Sequence, residues 1–278
     1  MSHDHKISVP PGVDLSKPSV GRMYDYYLRG QVWTEVDRQA AERIREMFPE
    51  IHDLAVANRS FLQRAAAAIA RAGVDQFLDL GSGLPTQWNT HEVVHLVNPH
   101  ARVVYVDSDP MIVAHARHLL EERGEAEHVR YLEADACDPD SILRHPQVTS
   151  FLDLDRPIGH MQVALWHFVG PENDPHALVR RYLDASVSGS YLALSHVTPE
   201  GLAPERVEKF LEVYAKATAQ LQLRTVEEIG RFFDGLEYLP PYEGAEPGLS
   251  FVGVWGARPG ARPHPVHTLG PCGVARKP

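Results

Sequence analysis

Cysteine, uninterrupted apolar runs and surplus positive charge are all scarce in this sequence, and each scarcity removes a class of protein. Only Cys137 and Cys272 occur in 278 residues, and the second lies in a stretch rich in proline and glycine. A disulfide framework is therefore not expected, and a reducing cytosol fits. No segment supplies the ~18 consecutive apolar residues that a membrane-spanning helix needs. Met1 to Gly12 is polar, with two His, one Asp and one Lys, unlike a secretory signal. The expectation is a soluble, cytoplasmic protein with no membrane contact.

Lys plus Arg number 27 against 37 Asp plus Glu, a net charge of −10 with His neutral. That sign repels phosphate backbones, so no nucleic-acid partner is expected and a small-molecule partner is favoured. No Gly-x-Ser-x-Gly elbow occurs, which argues against the commonest serine-hydrolase design on an α/β sheet. Hydrophobic residues at 44% and charged residues at 23% are ordinary globular usage, which excludes collagen-like, coiled-coil and wholly disordered chains.

What is there reads first as helix, then as alternating strand and helix. Ala41, Ile44 and Phe48 recur at helical spacing, with Asp37 as the expected N-cap and Pro49 as the stop. A second helix is predicted over His52 to Ala72, carrying four consecutive alanines and closed by Gly73. Gln76 to Leu80 is a short apolar run entering Gly81-Ser82-Gly83, the pattern of a buried strand and a tight turn. Further strands are predicted at Arg102 to Val106, Val129 to Glu133, Met161 to Phe168 and Tyr191 to Val197. Asp109-Pro110 and Asp174-Pro175 open the intervening helices. This alternation predicts a parallel, doubly wound sheet. Later, Pro204 opens a helix, Thr225 and Glu228 have capping-box spacing, and Leu249 to Trp255 reads as a late strand. Ala257 to Pro278 has five Pro, three Gly, four basic residues and no acid, and is expected to be a mobile tail.

Asp79-Leu80-Gly81-Ser82-Gly83, Asp107 and Asp135-Ala136 fall at the carboxyl ends of three successive strands, where open α/β sheets bind ligands. Glycine at 81 and 83 lets the backbone approach a ligand that a Cβ would hold off. Asp107 is placed to accept hydrogen bonds from ribose hydroxyls. A nucleoside ligand is thus indicated, either a dinucleotide or S-adenosylmethionine. A dinucleotide fingerprint wants a third glycine where this chain has Thr86, and a helix starting at once. Here Pro85 delays it, and the best start signal is Asn89 with Glu92. S-adenosylmethionine has no phosphate to lose by this, and Asp79 supplies a counter-charge for its ammonium group.

At this point the chain resembles the S-adenosylmethionine-dependent methyltransferases once grouped as a domain of unknown function and common in actinobacteria. Four strings carry the resemblance in order: Pro18 to Leu28 (Pro-Ser-Val-Gly-Arg-Met-Tyr-Asp-Tyr-Tyr-Leu), Ala57 to Leu62 (Ala-Asn-Arg-Ser-Phe-Leu), Gln76 to Thr86, and Val104 to Pro110. The resemblance implies a Rossmann-like, mostly parallel seven-stranded sheet with an N-terminal helical lid. The corresponding division is a lid over 1–72, the cofactor-binding domain over 73–257 and a tail over 258–278. It further implies that Asp79, Gly81 and Gly83 hold the methionine portion, Asp107 the ribose, and Asp135 with Ala136 the adenine. Ser82, Ser108 and Trp166 are expected to complete the cofactor contacts, with Arg22, Tyr27, Asn58 and Arg59 reaching in from the N-terminal helices. A homodimer is compatible with this pattern. After the tyrosine run, where relatives show Gly-Gly-Lys-Asp-Asn-Phe, this chain has Arg29-Gly30-Gln31-Val32-Trp33-Thr34; if that segment caps the site, substrate choice changes.

The catalytic candidates are His167, at a strand end between Trp166 and Phe168, as general base, and Tyr24 on the lid; His196 is a second base candidate. Each has a plain alternative: a histidine satisfied by backbone, a tyrosine packing between helices, an Arg59 in a surface ion pair. Sixteen histidines raise a metal site; His91 with His95 has the spacing and flanking Glu92 of a zinc-protease helix, but neither that pair nor His115 with His118 has a Cys partner, and both read as solvated faces. Cys137 reads as packing. The function expected is methyl transfer to an O, N or C nucleophile of a small molecule. An NAD-dependent oxidoreductase and a non-catalytic cofactor-binding module remain as alternatives.

Overall fold

Burial of hydrophobic strands on both faces organises the chain. The computed structural model describes residues 9–10, 13–84, 88–258 and 264–278; Pro85 and Thr86, and all of Met1 to Gly12 except Val9 and Pro10, lie outside the described residues. In chain order the elements are α1 (Val20–Tyr27), α2 (Glu35–Met47), α3 (Ile51–Arg71), β1 (Gln76–Leu80), α4 (Thr90–His95), β2 (Arg102–Asp107), α5 (Pro110–Arg123), β3 (Val129–Glu133), α6 (Pro139–Leu143), α7 (Pro146–Thr149), β4 (Gly159–Val163), α8 (Pro175–Asp184), β5 (Tyr191–Ser195), α9 (Pro204–Tyr214), α10 (Val226–Gly230), β6 (Glu237–Tyr238), β7 (Ser250–Phe251) and β8 (Pro271–Arg276). The sheet order is β3-β2-β1-β4-β5-β8-β6, with β7 also on β8. From β3 to β5 every pairing is parallel, whereas β8 runs antiparallel to β5, β6 and β7.

Chain order moves outward from β1 to β3 and then jumps back to β4 on the other side of β1. The strand ends of β1 and β4 therefore border the switch-point crevice, where loops diverge. Alternating side chains divide the core between the two faces. Phe77, Val103, Met161 and Ala193 pack under α3 and α5, while Leu78, Val104, Leu192 and Leu194 pack against α6, α7 and α8. α3 lies close on the sheet at Gly159 of β4, where a Cβ would stand 2.6 Å from Phe77 and 3.1 Å from Ile69. Thus α3 is a sheet-covering helix as well as a wall of the N-terminal region, and the division at 72 does not separate a lid from the sheet domain. α2 packs in turn against α9, which covers the same end of the molecule.

Several expectations are corrected. The 258–278 segment is not a mobile tail: its part from Pro271 to Arg276 is β8, inserted between β5 and β6, and Cys272, Val274 and Ala275 are fully buried. Small residues and a leading proline make it read as a linker. Gly273 packs tightly there, since a Cβ would stand 3.0 Å from the Phe233 and Tyr238 rings. The sheet consequently has eight strands rather than seven. The late strand shrinks to Ser250–Phe251, followed by a turn that buries Trp255 edge-on to Phe61. The fourth strand stops at Val163, because Ala164 takes φ 58 and a 3-10 turn over Trp166–Phe168 follows. Asp37 is not the N-cap of α2. Thr34 is, and Asp37 closes a capping box by accepting from the Thr34 amide at 2.7 Å.

Candidate active site

The residues at the carboxyl ends of β1, β2 and β3 line one cavity of about 570 Å3, within the size range of small-molecule sites. Gly81 (φ 66) and Gly83 (φ 63) take the left-handed conformation, and a Cβ at Gly81 would stand 2.7 Å from Leu165. The Gly81 and Ser82 amides donate to the Val106 carbonyl at 2.9 and 3.2 Å. The Gly83 amide donates to Asp107 Oδ2 at 2.8 Å, and the Asp109 amide to Asp107 Oδ1 at 2.9 Å. Asp107 is thereby aimed across the glycine turn. Asp79 is buried and accepts from Thr90 Oγ1 at 2.6 Å, from the first residue of α4. Asp135 is exposed and accepts from the Cys137 amide, whereas the neighbouring Asp138 caps α6, so capping does not account for Asp135. Ser82, Ser108, Asp135 and Ala136 all line the cavity.

The electrostatics of this half suit a cation. Burial pushes Asp79 up to about 7, with the nearby Asp107 adding to it and Thr90 and Arg59 opposing. Burial also raises Asp107 to about 6 against the pull of the Asp109 and Gly83 amides. Both carboxylates are short of positive charge, which a ligand carrying a sulfonium and an ammonium supplies. A pyrophosphate would instead meet Asp79, Asp107, Asp109, Asp135 and Glu172, with Arg59 the one Lys or Arg among the described lining residues. The dinucleotide alternative therefore fits poorly. S-adenosylmethionine, which carries a sulfonium and an ammonium beside a single carboxylate, suits a lining of this charge.

The opposite wall comes from the helices and from β4 and β5. Tyr24 donates to the Ala55 carbonyl at 3.1 Å and accepts from Asn58 Nδ2 at 2.9 Å. Asn58 Oδ1 accepts in turn from Ser195 Oγ at 2.6 Å, at the end of β5, and Ser195 Oγ accepts from the Ala164 amide at 3.0 Å. A polar thread thus ties α1 and α3 to the β4 and β5 ends. Ser195 was missed in the sequence, although its place at a strand end could have revealed it. Arg59 donates to the Leu84 carbonyl at 3.3 Å, and Tyr27 lies against Tyr214 of α9.

Two expected contacts fall outside. Arg22 is not on the cavity: it is buried between Asp37 (Nε to Oδ2, 2.8 Å) and Asp109 (Nη1 to Oδ2, 2.7 Å), clamping α1 and α2 to the start of α5. Trp166 is likewise fully buried beneath the site, donating to Gln162 Oε1 at 2.8 Å. Nor does the divergent Arg29–Thr34 segment line the cavity. It folds back on α1, with the Val32 amide on Asp25 Oδ2 at 2.9 Å and Val32 packed against Leu84, Met111 and Ile112. The solvated-face expectation fails for His91, which is buried with Nδ1 2.8 Å from the Tyr105 hydroxyl; His95 reaches the Ala101 carbonyl, and His118 is exposed.

His167 lines the cavity, and its buried Nδ1 has no hydrogen-bond partner. Burial, with His196 and Arg224 nearby, holds it well below the ordinary histidine range, so its imidazole is neutral at physiological pH. His196 is excluded as a base, since both nitrogens are committed: one donates to the Val197 carbonyl and the other accepts from Arg224 Nη1, each at 2.8 Å. Arg224, unsuspected from the sequence, also donates to the Trp166 and Val169 carbonyls at 2.8 and 2.9 Å, and the Gln222 amide to the His167 carbonyl at 2.7 Å. The 3-10 turn carrying His167 is therefore held at both ends. Among the described residues, no group of three His, Cys, Asp or Glu is arranged to hold a metal ion.

The chain is similar to two solved structures over nearly its whole length. One is a candidate methyltransferase from Thermobifida fusca YX, with 38% identity, TM-score 0.85, 96% of this chain and 98% of that one covered. The other is a DUF574 family protein from Streptomyces avermitilis, with 37% identity, TM-score 0.86, and 95% and 98% covered. No curated protein matches. A family model described as S-adenosyl methyltransferase matches residues 7–278. With a sheet of this order and a cation-seeking cradle at its switch point, the chain belongs to that family of S-adenosylmethionine-dependent methyltransferases.

Proposed function

We propose that the chain transfers the methyl group to a small organic acceptor bound beside His167. When bound, S-adenosylmethionine supplies an electrophilic methyl carbon on its sulfonium. Asp79 takes the ammonium, Arg59 the carboxylate, Asp107 the ribose, and Asp135 with Ala136 the adenine edge, while Gly81, Ser82 and Gly83 let the backbone close on the methionine arm. Ser108 lies at the rim. Tyr24, Tyr27 and Asn58 shape the wall facing the methyl, and aromatic faces shield positive charge.

Alignment is the protein's main contribution to an in-line displacement. For an O–H acceptor, oxygen bonds to the methyl carbon as the carbon–sulfur bond breaks, its electron pair stays on sulfur, and the hydroxyl proton passes to the neutral His167 imidazole. One observation carries this reading: the acid-rich cradle over β1 to β3 and the buried His167 line the same cavity. The net charge of −10 supports work on a metabolite rather than nucleic acid; a cytoplasmic homodimer belongs to the same proposal. Among the described residues no helix is long and apolar enough to cross a membrane.

Calorimetric titration with S-adenosylmethionine and S-adenosylhomocysteine, with mass spectrometry of whatever co-purifies, tests the reading. Binding of both, weakened together by Asp107→Ala, is expected. Preferential binding of NADH would refute it, and cofactor binding without release of S-adenosylhomocysteine in the presence of metabolite extracts would favour a non-catalytic module.

A further inference from the structure

The two ends of the cavity differ in kind. Of the six Asp, Glu, Lys or Arg among its described lining residues, Arg59, Asp79, Asp107, Asp109 and Asp135 belong to the cradle side. The sixth, Glu172, is exposed and stands beside Gly170, just past the turn that carries His167. The chamber over β4 and β5, roofed by α2, α3 and α9, is lined instead mainly by aliphatic and aromatic side chains; Tyr24, Asn58 and Ser195 are bonded within the protein, and Tyr27, Thr218, Gln220 and Gln222 add neutral polar groups. Its rings are mutually oriented. Phe168 lies 4.4 Å from His167 and 5.8 Å from Tyr214, and Phe210 meets Phe48 edge-on at 5.6 Å.

We infer that the methyl acceptor is an uncharged aromatic compound bearing a hydroxyl, bound flat among Phe168, Phe210 and Tyr214 with that hydroxyl toward His167. This rests on the cofactor assignment above and narrows the acceptor. An aliphatic amine arrives protonated, and a carboxylic acid ionised; neither finds a counter-charge in this chamber, and desolvating an unpaired charge is costly. A sugar would strand several hydroxyls against apolar walls. A ring system gains both area burial and oriented aromatic contacts. The neutral imidazole then faces a hydroxyl of the phenol class, which ionises near ~10 and is far more acidic than an aliphatic alcohol.

The test uses the full chain saturated with S-adenosylhomocysteine and three probes of one shape: naphthol, naphthoate and naphthylmethylamine. Calorimetry is expected to show naphthol binding at least tenfold more tightly than either charged probe. Phe210→Ala should weaken naphthol at least fivefold while leaving the affinity for S-adenosylhomocysteine unchanged, which also reports that the variant is folded. Leu202→Lys, which places a cation on the chamber wall, should shift the preference toward naphthoate. Equal or tighter binding of a charged probe, or no naphthol binding to protein that does bind S-adenosylhomocysteine, overturns the acceptor class and leaves the cofactor reading standing. Failure of S-adenosylhomocysteine to bind overturns both.

Discussion

Cofactor affinity should fall steeply on acidification, and Asp79 sets where. In the unliganded protein this buried carboxyl titrates at about 7 because burial outweighs the Thr90 hydrogen bond and the Arg59 charge. A ligand ammonium requires the carboxylate, so below pH 7 binding must first expel a proton. The cost is about tenfold in Kd at pH 6 and about a hundredfold at pH 5, relative to pH 8, at ~1.4 kcal/mol per decade. Asp107, at about 6, adds a smaller loss below that value. Calorimetry at pH 6 in buffers of different ionisation enthalpy should show nearly one proton released per S-adenosylmethionine bound. Asp79→Asn should abolish most of the slope. A Kd that stays flat from pH 8 to 5.5, or an unchanged slope in Asp79→Asn, refutes the reasoning. The same group sets a stability trend of opposite sign to the usual carboxylate. Its folded pKa is raised, so between about 4 and 7 the native state holds the extra proton and stability falls as pH rises. Asp79→Asn should therefore stabilise the unliganded protein at pH 8, with a ceiling of ~4 kcal/mol set by the gap between 3.8 and about 7.

Asp107→Ala should weaken the cofactor by ~1–3 kcal/mol through loss of charge-assisted bonds, read as a shift in Kd; an unchanged Kd would remove Asp107 from the ribose site. Arg22→Ala leaves Asp37 and Asp109 without their shared cation. It should cost ~3–5 kcal/mol in denaturant unfolding, and a loss below 1 kcal/mol would show the clamp to be inert. His167→Ala should slow turnover while cofactor affinity holds, and equal turnover in the two proteins would exclude it as base. Val274→Asp buries a charge in β8 and should prevent folding, where a free tail would tolerate it; an unchanged melting temperature decides for the tail.

The cofactor half was legible because its signals are local. A strand buried on both faces is written as a continuous apolar run, as in Gln76 to Leu80, and its carboxyl end places Asp79, Gly81 and Gly83 without further information. Helix starts were equally plain at Asp109-Pro110 and Asp174-Pro175, where an N-cap precedes a proline. The acceptor half was not, because its parts are brought together by tertiary packing. Phe210 and Tyr214 read only as the apolar side of a helix, and the partners of Arg224 are His196 and the carbonyls of Trp166 and Val169, far from it in sequence. Arg22 looked like a ligand for a carboxylate, which it is, but the carboxylates are those of Asp37 and Asp109. The sheet edge misled for the same reason. Pro271-Cys272-Gly273-Val274 has linker composition, and the rings of Phe233 and Tyr238 that crowd its glycine come from elsewhere in the chain.

The late arrival of β8 has a consequence for biosynthesis. β5 leaves the ribosome about 75 residues before the strand that pairs with it, a delay of several seconds at ~5–20 residues per second. Through that interval the β5 edge offers open backbone donors and acceptors to any other nascent strand. Nascent chains stalled before Pro271 should therefore be the aggregating species, and holdase chaperones should engage them in preference to chains released beyond Arg276.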